Sequence, residues 1–206
     1  MVKRGLDVCL ALLGLAVLWP VLLACAIAVK RDSVGPIFYR GSRTGLHGKP
    51  FRIWKFRSMV IDAEDRGGTT TGGDDPRITR VGRVLRKYKL DELPQLWNVL
   101  RGDMSFVGPR PEVAEYTDLY TLDERRILDV RPGITDLSSI EFSDLQAHVG
   151  IEDPDETYRR VVLPRKNRLR LQYVDQQSLS LDLEILVRTV ALVASRPLRK
   201  GSGHAA

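Results

Sequence analysis

The chain has 206 residues, enough for one domain with an appendage and for a core that needs neither disulfide nor structural metal. Its two cysteines, Cys9 and Cys25, share one apolar run and lie about 24 Å apart along a straight helix, too far to bridge; without a CxxC or a Cys/His cluster a zinc site finds no support. The net charge of +6 suits nucleic acid, an anionic membrane surface or a phosphorylated substrate, and does not choose among them.

The first element does choose. Leu6 to Val29 is an apolar run whose only charge is Asp7. As a helix it is roughly 36 Å long, enough to cross a hydrocarbon core of about 30 Å. It lacks the polar residues at helical spacing that a soluble core helix carries, so membrane contact is expected. Lys3 and Arg4 precede it and Lys30 and Arg31 follow it. Positive flanks stay cytoplasmic, and Pro20 removes a backbone hydrogen bond past the middle of the run. A segment that dips in and returns keeps both flanks inside; a tilted single span exports one. From these residues both readings stand. Ala24-Cys25-Ala26 gives the run some likeness to a signal segment, but Asp7 and Trp19-Pro20 argue against cleavage. The expected division is a membrane segment over 1–31, a body over 32–198 and a flexible tail over 199–206.

Next, Ile37-Phe38-Tyr39 and Phe51 to Phe56 are β-prone and flank the turn-rich Gly41 to Pro50, which predicts a hairpin. Gly67 to Pro76 predicts a long polar loop of functional character. Ile78 to Lys89 has helical spacing. Leu90 to Gly102 predicts a second helix with an apolar face of Leu93, Leu96, Trp97 and Leu100, Asp91 as N-cap, Pro94 in its first turn and Gly102 as its stop. Gly108-Pro109-Arg110-Pro111 is a stiff loop. Helices are expected over Glu112–Val130, Val162–Gln176 and about Leu179–Ser195, the last either on the membrane surface or on the core. The fold class is therefore α+β and mostly helical, with a small hairpin and amphipathic surface helices.

Asp91 and Glu92 sit together at a helix start, where free N–H groups and the positive dipole end favour anions. An ionised aspartate beside a phosphoryl group is a potential nucleophile, and a neighbouring carboxylate can hold Mg²⁺. Ordinary helix capping explains the same pair. Lys55 and Arg57 in KFRSM, Arg86, and Arg110 between two prolines could meet a diphosphate; arginine pairs phosphate bidentately. Asp182 could cap the last helix or reach the site. His47, His148 and His204 lack spaced partners, and Ser105 lacks a nucleophile context.

LDELPQLWNVLRGDMSFVGPRP, from Leu90 to Pro111, closely resembles the signature of monotopic phosphoglycosyl transferases. KFRSM, RPGIT (Arg131 to Thr135) and SLSLDLEIL (Ser178 to Leu186) fall in that family's order. The resemblance covers nearly the whole chain. It implies transfer of a phosphosugar from a UDP-sugar to undecaprenyl phosphate at the cytoplasmic face of a bacterial inner membrane, as the first membrane step of glycoconjugate (exopolysaccharide, O-antigen, capsule or glycoprotein) assembly. By resemblance Asp91 is the nucleophile at the β-phosphate, UMP leaves, and Glu92 is the Mg²⁺ ligand. Lys55, Arg86 and Arg110 match phosphate-binding positions and Asp182 an acidic position near the site. Pro20 would be the point of return of a re-entrant helix, and the chain would correspond to a catalytic core without the additional membrane domain of larger relatives. The expected partners are the donor, the polyprenyl acceptor and membrane lipid, with a homodimer compatible and nucleic acid not expected. Two departures stand out: Trp19 replaces the usual serine before the proline, and Asp136 to Asp144 replaces the usual stretch after RPGIT. The competing reading is a basic, membrane-tethered binding protein, for which FRIWKFR interleaves cations and aromatics; it leaves Asp91-Glu92 and Arg110 unexplained.

Overall fold

The apolar run forms one helix, α1 (Val2–Asp32), with Pro20 inside it and no coil interval. The computed structural model describes residues 2–63, 75–143, 145 and 154–195. Only 11% of the helix's most apolar window is buried, so it is not a core helix of a soluble domain. Leu12, Leu13, Val17, Trp19, Val21 and Leu23 are exposed. Both of its ends nevertheless pack on the same body. Near the start, Lys3 pairs with Asp182, and Arg4 donates to the carbonyls of Val99 (2.7 Å) and Leu100 (3.0 Å). At the other end, Cys25 and Val29 join Phe56 and Leu85, and the Asp32 carboxylate accepts from the Val81 N–H at 3.0 Å.

The hairpin forms in two pieces. β1 (Phe38–Tyr39) pairs antiparallel with β4 (Lys55–Phe56), and β2 (Ser42–Thr44) with β3 (Pro50–Arg52). A 3-10 turn at Leu46–Gly48 reverses the chain, with His47 and Gly48 at positive φ. Of the expected polar loop Gly67 to Pro76, only Asp75 and Pro76 are described.

α2 (Arg80–Lys87) begins at Thr79, whose hydroxyl accepts the Gly82 N–H at 3.0 Å. Leu85 faces α1, while Arg80, Arg83 and Lys87 are exposed. Lys89 then adopts a left-handed conformation (φ 58°) and the chain enters a 3-10 stretch, Leu90–Gln95, before α3 (Leu96–Arg101). This corrects the expectation for Asp91: it lies in the first turn, and the N-cap position belongs to Lys89, because the reversal at Lys89 starts the turn at Leu90. Gly102 ends α3 at φ 88°, as its position predicts. The expected apolar face also shifts. Leu96 and Val99 are buried whereas Trp97 is 48% exposed, since the tighter 3-10 turn changes the phase of the face.

β5 (Ser105–Val107) and β6 (Gly133–Thr135) form a parallel pair, register Ser105 to Gly133 and Val107 to Thr135. Gly108 and Gly133 meet so closely that a Cβ on Gly133 would lie 2.2 Å from the Gly108 nitrogen. The expected helix over Glu112–Val130 is replaced by α4 (Ala114–Thr117) and a 3-10 turn, Glu124–Asp129. Thr121 and Glu124 exchange side-chain-to-backbone hydrogen bonds, a capping box that starts a new turn there.

α5 (Leu137–Glu141) is capped by Asp136. α6 (Pro154–Thr157) passes through a π-helical turn, Tyr158–Val162, into α7 (Leu163–Gln176), and α8 (Leu179–Ser195) follows. α8 buries Asp182 and Ile185 and exposes Leu179, Leu183, Val187 and Val190, an apolar face pointing away from the core. The mostly helical α+β class holds. The tail over 199–206, together with His148 and His204, lies outside the described residues.

Candidate active site

The 3-10 stretch carries Asp91 and Glu92 into the body at the foot of three cationic segments. Lys55 is placed by β4, whose pairing with β1 is extended by Asn98: the Asn98 side chain accepts the Trp54 N–H and donates to the Arg52 carbonyl, both at 2.9 Å. Lys55 Nζ donates to Glu92 Oε1 at 3.1 Å. Arg110 reaches the same oxygen from the loop after β5, and its other terminal nitrogen donates to the Ile134 carbonyl at 2.5 Å. Arg86, on the last turn of α2, donates to the Ser58 hydroxyl at 3.0 Å, and its charge acts on both Asp91 and Glu92.

The two carboxylates are adjacent but not equivalent. Burial works against the charge of Glu92, yet Arg110, Lys55 and Lys89 outweigh it and hold the carboxyl well below the usual carboxylate range. Asp91 shifts the other way: burial, reinforced by the Glu92 charge, raises it, against a partial pull from Lys55, Lys89 and Arg86. Asp91 Oδ1 is buried and has no hydrogen-bond partner. A buried acceptor left in that state costs on the order of 1–3 kcal/mol, which points to a group supplied from outside the chain.

Four of the sequence-predicted residues therefore converge on Asp91: Glu92, Lys55, Arg86 and Arg110. Two others do not join them. Arg57 spends its guanidinium on the carbonyls of Ser33, Val34 and Pro36 (2.9, 2.8 and 2.6 Å) and locks the chain after α1. Asp182 pairs with Lys3 and accepts from the Tyr173 hydroxyl at 2.6 Å. Its described contacts thus fasten α1 to α8. Lys89 is a contributor that sequence reasoning missed. Its backbone reversal is unusual for lysine, and no pattern in the sequence announces it.

Behind the cluster runs a second network that supports Arg110. Arg170 is fully buried and donates to Glu112 at 2.6 Å, to Asn167 at 3.0 Å and to Tyr120 at 3.4 Å. The Tyr158 hydroxyl donates to Glu112 at 2.5 Å and accepts from Lys166 at 3.2 Å. Burial pushes Lys166 down to about 8, against the pull of Glu112. A cavity lined by Thr44, Pro109, Arg110, Pro111 and Tyr120 lies behind this loop and does not include Asp91 or Glu92 in its walls.

A carboxylate pair can take a divalent cation where substrate phosphates complete the shell, since Mg²⁺ uses few protein ligands. Glu92 fits such an ion, because its described contacts use only Oε1 and leave Oε2 to face one. No group of three or more His, Cys, Asp or Glu side chains placed to share a metal ion occurs among the described residues.

Comparison with known proteins gives this arrangement its context. The glucose-1-phosphate transferase of Escherichia coli (strain K12), named for UDP-glucose and undecaprenyl phosphate, is 39% identical over 193 residues, 92% of this chain and 39% of that protein. An Aeromonas hydrophila enzyme named as a UDP-N-acetylgalactosamine-undecaprenyl-phosphate N-acetylgalactosaminephosphotransferase is 35% identical over 201 residues, 93% of this chain and 43% of the relative. A Caulobacter vibrioides glucose-1-phosphate transferase is 39% identical over 191 residues, 91% of this chain and 68% of the relative. The chain thus spans about two fifths of the first two relatives. The family model described as bacterial sugar transferase matches residues 1–196, and the chain belongs to that family.

Proposed function

We propose that this chain transfers a sugar 1-phosphate from a UDP-sugar to undecaprenyl phosphate through a covalent phosphosugar on Asp91. The observation that carries the reading is the asymmetry of the carboxylate pair. Glu92 is fixed as an anion by Arg110 and Lys55, while Asp91 keeps a buried oxygen without a partner beside it. That is the arrangement expected of a nucleophile waiting for an electrophile.

In the first step an Asp91 oxygen forms a bond to the β-phosphorus of the donor. The bond from that phosphorus to the oxygen bridging to the α-phosphate breaks, and the oxygen leaves with UMP. In the second step an oxygen of the acceptor phosphate attacks the same phosphorus and the bond to Asp91 breaks. A polyprenyl diphosphate sugar and a free carboxylate result. Arg110, Lys55 and Arg86 orient the diphosphate and balance charge that builds on its oxygens. Glu92, whose described contacts leave Oε2 uncommitted, would hold Mg²⁺, which would supply Lewis-acid stabilisation of the diphosphate.

The helix sits in one leaflet of the bacterial inner membrane and both of its ends face the cytoplasm. In support, Asp7 and Val29 are about 33 Å apart along a straight helix, yet both pack on the same body. Pro20 is the place for the return. Site and acceptor phosphate then lie on one side, as the initiating step of glycoconjugate assembly requires.

The test is UMP release from a panel of UDP-sugars with undecaprenyl phosphate and Mg²⁺. The expected result is release from at least one donor, abolished by EDTA and restored by Mg²⁺. Folded protein that releases UMP from no member of a broad panel would count against the reading.

A further inference from the structure

We propose that Asp136 is a positioning residue for this reaction, one that sets Arg110 at the diphosphate by holding its main chain. The inference rests on the reading of Arg110 as a phosphate-binding group.

Pro109 and Pro111 have no N–H, so the only backbone donor in Pro109-Arg110-Pro111 is that of Arg110. Asp136 Oδ2 accepts it at 3.0 Å. Asp136 follows β6 directly, and β6 supplies the Ile134 carbonyl that accepts from the Arg110 guanidinium. One segment therefore grips both ends of the residue. The rest of the loop is held from the same side: the Gly108 N–H donates to the Thr135 carbonyl at 3.1 Å and the Gly133 N–H to the Pro109 carbonyl at 3.0 Å. With one terminal nitrogen on the Ile134 carbonyl, the guanidinium presents the other to Glu92.

Asp136 is fully buried, an expensive place for a carboxylate unless its oxygens are occupied. They are. Oδ1 accepts from the Ser139 N–H and hydroxyl (both 2.6 Å), the Ser138 hydroxyl approaches both oxygens (2.9 and 2.8 Å), and Arg170 Nε stands 3.7 Å from Oδ2. Arg170 also binds Glu112 at the far end of the loop, so one buried cation ties both anchors together.

The side chain divides its work. Oδ2 serves Arg110, and Oδ1 caps α5 through Ser139. Asparagine has one acceptor oxygen and cannot do both. Misplacing a reactive group by about 1 Å can cost on the order of 100-fold in rate.

A double-mutant cycle separates positioning from general support. Asp136→Asn is made in the wild type and in Arg110→Lys, with UMP formation, donor affinity by calorimetry and thermal unfolding read for each. Ser139→Ala removes a hydroxyl contact to Oδ1 but keeps the capping Ser139 N–H and leaves Oδ2 untouched, so it is the control for losing an Asp136 contact that does not serve Arg110. Expected is a loss of at least tenfold in kcat/KM in the wild-type background and less than threefold in Arg110→Lys, with cooperative unfolding kept and Ser139→Ala within threefold of wild type. If Arg110→Lys is too slow to assay, donor affinity supplies the same two ratios. Equal losses in both backgrounds, a Ser139→Ala loss matching that of Asp136→Asn, or no loss in wild type would overturn the proposal. A fully active Arg110→Lys would instead sink the reading of Arg110 on which it stands.

Discussion

Hydropathy and structure make opposite predictions for Asp7. By hydropathy it is the one flaw in an apolar run, and leucine there should improve the helix. In the structure Asp7 is 5% exposed, and its Oδ1 accepts from the Ser105 hydroxyl and the Phe106 N–H, each at 3.1 Å. β5 pairs with β6 through Ser105 and Val107, so the Phe106 N–H points to the unpaired side, where Asp7 receives it. Hydrogen bonds to a charged acceptor contribute about 1.5–3 kcal/mol each, and a buried N–H left alone costs about 1–3 kcal/mol. The carboxylate's own desolvation offsets part of this. Asp7→Leu should therefore lose about 2–4 kcal/mol, a fall in Tm on the order of 5–15 °C for a chain of this size. Asp7→Asn keeps an acceptor and should lose less than half as much. Thermal unfolding in detergent or nanodiscs measures both. An Asp7→Leu protein as stable as wild type, or more so, would refute the claim that this carboxylate fastens the membrane helix to the strand feeding the Arg110 loop.

Gly82→Ala places a Cβ 2.0 Å from the Ser58 carbonyl oxygen, so α2 must move away and Arg86 lose its Ser58 contact; melting should show a loss of about 1–3 kcal/mol, with UMP formation reduced. Glu112→Gln leaves Arg170 buried beside a neutral partner and should destabilise by about 3–5 kcal/mol in chemical denaturation. Lys166 titrates lower in the folded chain, at about 8, than its ordinary 10.5. The unfolded chain then binds more protons between those values, so stability from this group rises with pH across that window, and Lys166→Met should flatten the rise.

Much of the architecture is legible in the sequence because it follows local rules. The apolar run, the split hairpin, the Gly102 stop and the last two helices are each written in neighbouring residues. Most of the misreadings turn on a distant partner, whereas that of Asp91 turns on a backbone reversal two residues away. Asp91 has the chemistry of a cap, but the reversal at Lys89 moves it inside the turn. β5 and β6 are three residues each, too short for alternation to register, and they pair across the Glu112–Val130 segment. Flanking prolines single out Arg110 in the sequence, but they do not say where it or Arg57 ends. Only the fold shows that Arg57 ends on backbone carbonyls and Arg110 on Glu92. The Glu112–Arg170–Tyr158 network joins the loop before α4 to the π-helical turn and α7 and leaves no local trace, since a buried arginine and a solvated one read the same in a basic helix.

The central claim is that Asp91 forms the covalent bond. Intact-protein and peptide mass spectrometry after brief incubation with the best UDP-sugar and Mg²⁺, without acceptor, tests it most directly. The account predicts a phosphosugar adduct on the peptide carrying Asp91, discharged by undecaprenyl phosphate and absent from Asp91→Asn, which should also release no UMP. UMP release at the wild-type rate by Asp91→Asn, or an adduct on a different residue, would contradict it.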